Sequence, residues 1–241
     1  MSVAELLDEE AVRALMKRRK KADITAVGEG KTDRIFLEEL VKLVEPSLVV
    51  AYMPATGKDF MADVIIGISL SLQAIVSKTE HRIKMIMRDC DNKRPGVVLR
   101  SVLDSLRARK ENVDELWRGR HVLLAKWGIH HLIVLALGAF GDEALKAFGV
   151  KRYQMEDYAL LCLIRRPELI GLEMSDLEGL RGETSKDVLE AIAERCGRRH
   201  EELLSYVLRK AREEGLLKIV LGELYDELKR ALEEARREAA R

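Results

Sequence analysis

Two short acidic segments hold the side chains best suited to chemistry in this chain. Val27-Gly28-Glu29-Gly30-Lys31-Thr32-Asp33 sets one carboxylate between two glycines, where an apolar strand gives way to a helix. The glycines permit a tight turn and keep neighbouring side chains away from Glu29. Ile86-Met87-Arg88-Asp89-Cys90-Asp91-Asn92 ends a second apolar run in two carboxylates two residues apart. On an extended backbone, residues two apart face the same side. Asp89 and Asp91 are therefore expected to face one way and Cys90 the other. Carboxylates held that close repel unless a proton or cation intervenes. Hard oxygen donors suit Mg²⁺, with Mn²⁺ as a substitute. The plainer reading is an acidic turn in which Asp91 or Asn92 caps the next helix.

Gly30-Lys31-Thr32 also matches the end of a phosphate-binding P-loop, but that motif needs a glycine five positions earlier, where Thr25 stands inside the strand. Glu29 would also repel a cradled phosphate. A P-loop nucleotidase with Asp89 holding Mg²⁺ is thus the third reading. Lys31, Lys58, Lys93 and Arg94 are candidates to contact a substrate phosphate, against the alternative that each is solvated and that Asp59 beside Lys58 caps a helix. His130 and His131 have no third partner at metal spacing, and Cys90 reads as a packing residue. The basic runs Lys17 to Lys21 and Arg195 to His200 are either part of a nucleic-acid face or solvated surface.

Positioning these residues requires strands that end where they begin. Ile24 to Val27, Leu48 to Met53, Arg82 to Arg88 and Leu132 to Leu137 read as short apolar strands. Helices are predicted from Thr32, as a cap, to about Glu45, over Lys58 to Val76, and from Pro95 to about Lys110. Val3 to Lys20 also reads as a helix, and Asn112 to Gly128 as a helix or an excursion. Strands alternating with helices imply α/β architecture, a mostly parallel sheet with helices on both faces. Such sheets bind ligands outside the carboxyl ends of their strands, where Glu29 and Asp89 fall. From Met155 the strand signal stops. Thr184 to Cys196, Arg198 to Glu214 and Leu217 to Arg241 are predicted helices, broken at Gly197 and Gly215. The expected division is an N-terminal helix (1–22), an α/β domain (23–172) and a helical C-terminal section (173–241).

Strand, Glu29-Gly30-Lys31-Thr32-Asp33, helix, and later strand, Asp89-Cys90-Asp91, resembles the TOPRIM superfamily. That group includes topoisomerases, bacterial primases and OLD-type nucleases. The EGxxD form followed by Phe36-Leu37 looks closest to its small primase-like and OLD-like members. Met155-Glu156-Asp157-Tyr158 is similar to a Glu-Asp pair that opens a helix in small TOPRIM-like proteins. By motif order the resemblance spans about Asp23 to Leu163. It implies a TOPRIM-like fold, with Glu29 as acid/base or metal ligand and Asp89 and Asp91 as Mg²⁺ ligands. It departs at Asn92, where no further carboxylate follows. Glu156-Asp157 either completes the cluster or complements the helix dipole.

Composition bounds these expectations. Basic and acidic residues nearly cancel, giving a net charge of +1, so nucleic acid must be attracted by local patches. Aromatics are only 5%, which disfavours a stacking platform for single strands. No apolar run approaches the roughly 20 residues a membrane helix needs, and no apolar signal core stands near Met1. Three scattered cysteines, Cys90, Cys162 and Cys196, point to a cytoplasmic protein. Scarce Asn and Gln beside abundant Glu, Lys and Arg suggest a thermophile. The expected function is Mg²⁺-dependent action on nucleic-acid phosphodiesters, DNA or RNA, by hydrolysis as a nuclease. The alternative is a non-catalytic nucleic-acid- or nucleotide-binding regulatory module. The amphipathic stripe from Leu217 to Leu232 serves either core packing or a homo-oligomer contact.

Overall fold

The computed structural model of the protein describes residues 5–7, 23–55 and 83–239. The central strands are nearly continuous apolar runs, as expected of strands covered on both faces. β2 (Ile24–Gly28) is buried throughout, as are the first five residues of β4 (Ile83–Asp89) and all but the first of β7 (His130–Leu137). With β1 (Glu5–Leu7), β3 (Val49–Pro54), β5 (Val113–Arg118) and β6 (Val122–Trp127) they form a seven-stranded sheet in the order β1-β3-β2-β4-β7-β6-β5. The pairings from β1 to β7 are parallel, whereas β7–β6 and β6–β5 are antiparallel.

The crossover from β2 to β3 runs through α1 (Lys31–Val44), and α2 (Pro95–Ala108) follows β4. The two chain paths leave β2 and β4 in opposite directions along the sheet. Right-handed crossovers then set α1 and α2 on opposite faces. Each helix buries an apolar stripe at helical spacing, Phe36, Leu37, Leu40 and Val41 in α1 and Val98, Leu99, Val102, Leu103 and Leu106 in α2. Pro95 starts α2, where its missing N–H costs nothing.

Several expectations change. Glu5–Leu7, read as helical, is a strand paired parallel with Val49–Ala51; residues 8–22 lie outside the described residues. The helix expected over 58–76 also lies outside them. The segment 112–128 is neither a helix nor an excursion but two strands, β5 and β6. Its short apolar stretch, Val122 to Ala125, is buried inside the sheet, and the exposed Asp114 and Glu115 mark β5 as a charged edge. Thr32 is not a cap: α1 begins at Lys31, with the extended Gly30 before it and no side-chain cap.

Beyond β7 the chain is helical: α3 (Glu143–Ala147), α4 (Glu156–Arg165), α5 (Met174–Leu177), α6 (Ser185–Arg195), α7 (His200–Glu213), α8 (Leu216–Leu221) and α9 (Glu223–Ala239). The single helix expected from Leu217 is interrupted at Gly222, whose φ of 50° lies in the left-handed region. These helices belong to the same hydrophobic core as the sheet. α7 packs on α1 and α4, and α9 on β6. The stripe of α9, Leu224, Leu228, Ala231, Leu232 and Ala235, is therefore buried within its own chain. Burying each such leucine contributes about 1.5–3 kcal/mol. Among the described residues, no helix is long and apolar enough to cross a membrane.

Candidate functional site

Parallel register brings the ends of β3, β2, β4 and β7 to one edge. Gly28 pairs with Pro54, Val27 with Ile86 and Asp89 with Leu137. Extending the β2–β4 register sets Glu29 one residue short of Asp89, on strands about 5 Å apart. Gly28 is required here because a Cβ would lie 2.6 Å from Asp33 Oδ2 and 2.8 Å from the Tyr52 hydroxyl. The buried Asp33 accepts the Glu29 backbone N–H, and the Tyr52 hydroxyl donates to the Gly30 carbonyl at 2.8 Å. The turn is thus closed by its own carboxylate. The Glu29 amide, which a phosphate cradle would need, is already engaged.

Asp89 accepts the Met155 N–H at 2.9 Å, which ties β4 to the start of α4. Burial holds its carboxyl well above the usual carboxylate range, and the charges of Asp33, Glu156 and, more weakly, Glu29 add to this; the Met155 N–H opposes it. Glu156 is buried, and its carboxyl is pushed up to about 7, chiefly by burial, with the Asp33 charge adding to the effect. Asp33 also raises the Tyr52 phenol, after burial. Glu29, Asp33, Asp89 and Glu156 therefore form one electrostatic cluster at the carboxyl edge.

Asp91 departs from the extended geometry expected of it. Its φ of 51° puts it in the left-handed region, so the two-residue alternation ends before it. It exchanges backbone hydrogen bonds with Tyr153, both at 2.7 Å, and its carboxylate meets Arg152 at 3.2 Å. Asp157 has a structural position. It accepts Ser185 Oγ at 2.6 Å, Ala139 N at 2.9 Å and Gln154 N at 3.1 Å, joining α4 to α6 and to the loop after β7. Burial pushes its carboxyl to about 7, against those three hydrogen bonds.

Lys31, Lys93 and Arg94 are exposed around this edge, and Lys58 lies outside the described residues. Cys90 is buried, its thiol pushed up to about 12 by burial. His130 and His131 sit at the opposite end of β7. Sequence reasoning places Asp33 within the EGxxD segment but does not include it in the cluster; its spacing, one helical turn beyond Glu29, is the available signal. For Glu156 the sequence leaves two roles open.

The donor set is wholly oxygen, the type Mg²⁺ prefers, and a divalent cation would relieve the mutual repulsion of these carboxylates. Among the described residues, however, no three His, Cys, Asp or Glu side chains close on a common metal position. Mg²⁺ commonly uses one or two carboxylates and completes its octahedron with water and phosphate oxygens. The cluster fits that mode, and does not form an all-protein cage. Comparison with known proteins gives no match: no family model, no curated protein and no solved structure matches this chain.

Proposed function

We propose that this chain is a Mg²⁺-dependent, TOPRIM-like protein that hydrolyses nucleic-acid phosphodiesters at the carboxyl edge of its sheet. The observation that supports this reading is the gathering of Glu29, Asp33, Asp89 and Glu156 around one end of β2 and β4, with Asp89 and Glu156 raised in pKa by burial and shared charge. Glu29 and Asp89 would hold the cation, whereas the Asp91 carboxylate, expected from the sequence as a further ligand, is engaged by Arg152. A bound Mg²⁺ supplies charge stabilisation at the phosphate and acidifies a water. Asp33 locks the turn that carries Glu29, and the Met155 amide orients Asp89. A carboxyl near pKa 7, as at Glu156, is matched to proton transfer at neutral pH.

Labelled DNA and RNA of several structures, incubated with Mg²⁺ or Mn²⁺, test this directly. Metal-dependent cleavage by the parent is expected to fall at least a hundredfold in Glu29→Gln and in Asp89→Asn. Equal cleavage by parent and variants would rule out the site. A second reading, a nucleic-acid-binding module without turnover, is favoured by the lack of a three-ligand metal group among the described residues. It predicts binding that survives both substitutions, and no cleavage.

A further inference from the structure

A second feature of the same edge lies on the far side of the loop after β7. A cavity of about 730 Å³ is lined by Arg94, Arg100, Arg118 and Arg120, with Val97 and Phe140 among its apolar residues and no Asp or Glu among the described residues of its wall. The arginines come from α2 and the residue before it, the end of β5 and the β5–β6 turn, so only the folded sheet assembles them. Arg118 reaches Glu115, and Arg120 reaches Glu223 at 3.2 Å. Arg94 and Arg100 make no ion pair with any described residue and are exposed. In a chain whose net charge is only +1, Arg94 and Arg100 give this pocket its net positive charge.

The cavity falls in the range of roughly 300–1,000 Å³ typical of ligand sites, too large for one phosphate to fill. Guanidinium forks match phosphate oxygens in pairs. Val97, 53% exposed, and Phe140 add an apolar surface for sugar and base. Phe140 packs against Tyr153 at 5.1 Å between ring centroids, and Tyr153 bridges Asp91. Ala139, the residue before Phe140, is held by Asp157. Tyr153 and Asp157 stand two residues either side of Met155, whose N–H holds Asp89, so the loop that carries Phe140 packs on the segment that orients Asp89.

We propose that this cavity binds consecutive phosphates of a nucleic-acid strand and leads that strand to the carboxylates. The inference rests on reading the acidic edge as a phosphodiester site, but its test does not depend on catalysis. Binding of a labelled single-stranded 12-mer, DNA or RNA, is measured by fluorescence anisotropy on the full chain in EDTA, with inorganic phosphate and ADP as competitors. The parent is expected to bind the 12-mer. Arg94→Gln/Arg100→Gln should weaken binding about tenfold or more, with the salt slope smaller by about 1.4, because each single-strand phosphate contact contributes about 0.7. Arg209→Gln, an exposed arginine on α7, should change affinity less than twofold. Circular dichroism melts identify any variant that fails to fold, and Arg100→Lys should retain part of the affinity. No 12-mer binding by the parent, unchanged affinity in the double variant, or tight binding of phosphate or ADP alone would each overturn the proposal. Loss of binding in the double variant, with no cleavage under any condition, would uphold the cavity and reject the hydrolytic reading.

Discussion

Lys84 shows how strongly one residue can depend on its surroundings. It lies in β4, 1% exposed, and burial alone lowers its ammonium to about 8. Between about 8 and 10.5 the unfolded chain binds the extra proton and the folded chain does not. Stability therefore rises with pH across that window, and the penalty is present in full below it. Lys84→Met is expected to stabilise the protein at pH 7 by about 2 kcal/mol and to abolish the rise between pH 8 and 10.5, both measured by urea unfolding. A less stable variant at pH 7 would mean that the ammonium makes interactions stronger than its desolvation. At the other end of the same strand, Asp89 is partly exposed, and its electrostatic neighbours are the carboxylates of Asp33, Glu156 and Glu29. Burial opposes charge at both ends of β4, and only the carboxyl end gathers groups that a cation would unite.

At the scale of elements, the β5–β6 turn depends on a carboxylate from α9. Glu227 accepts the backbone N–H groups of Arg120, His121 and Val122 at 2.6, 2.8 and 3.0 Å. Gly119 allows this approach, since a Cβ there would lie 2.3 Å from the Glu227 carboxylate carbon. Glu227→Ala leaves those amides without their acceptor and should cost about 2 kcal/mol. Gly119→Ala should destabilise the parent by a similar amount, yet be nearly neutral once Glu227 is alanine. A double-mutant cycle measured by thermal or chemical unfolding checks this coupling; additive effects would show that the two residues do not act together. A second tie, the buried Glu39 of α1 with Arg212 of α7, fastens the C-terminal helices to the sheet layer. Arg212→Ala leaves the buried Glu39 carboxylate with Lys42, 3.3 Å away, as its remaining cation, and is expected to cost about 2 kcal/mol in urea unfolding.

For the whole molecule, the acidic edge and the arginine cavity make a dipolar surface on a nearly neutral chain. Carboxylates raised in pKa lower stability as pH climbs from about 4 to 7, because the folded state gives up protons that it holds more tightly than the unfolded state does. A cation that binds the ionised cluster should reverse this loss. Mg²⁺ at millimolar concentration is expected to raise the melting temperature by several degrees at pH 8 and by much less at pH 5.5. In Asp89→Asn the shift should be largely lost. An equal shift at both pH values, or in the variant, would place the ion elsewhere.

Much of the fold was legible locally. The apolar runs at 24–27, 48–53, 83–88 and 132–137 record strands buried on both faces, and Pro95 and the glycines record where helices start and stop. Because turns between a strand and its helix are local, Glu29 and Asp89 could be assigned to strand ends from their neighbours alone. The hairpin at 112–128 was not legible, since an exposed, charged edge strand shows no clear alternation. The first strand, three residues long, carries too little pattern to be separated from a helix. What only the tertiary structure decided is which distant residues meet. Asp33 and Glu156 join Glu29 and Asp89 because β2, β4 and α4 converge there. Asp91 turns away because it bridges to Tyr153, and arginines from three segments line one cavity. Sequence periodicity reports how each segment meets its core, whereas meetings between segments are set by crossover order and packing. The carboxyl-edge position of Glu29 and Asp89 was therefore readable from the sequence, and the company they keep was not.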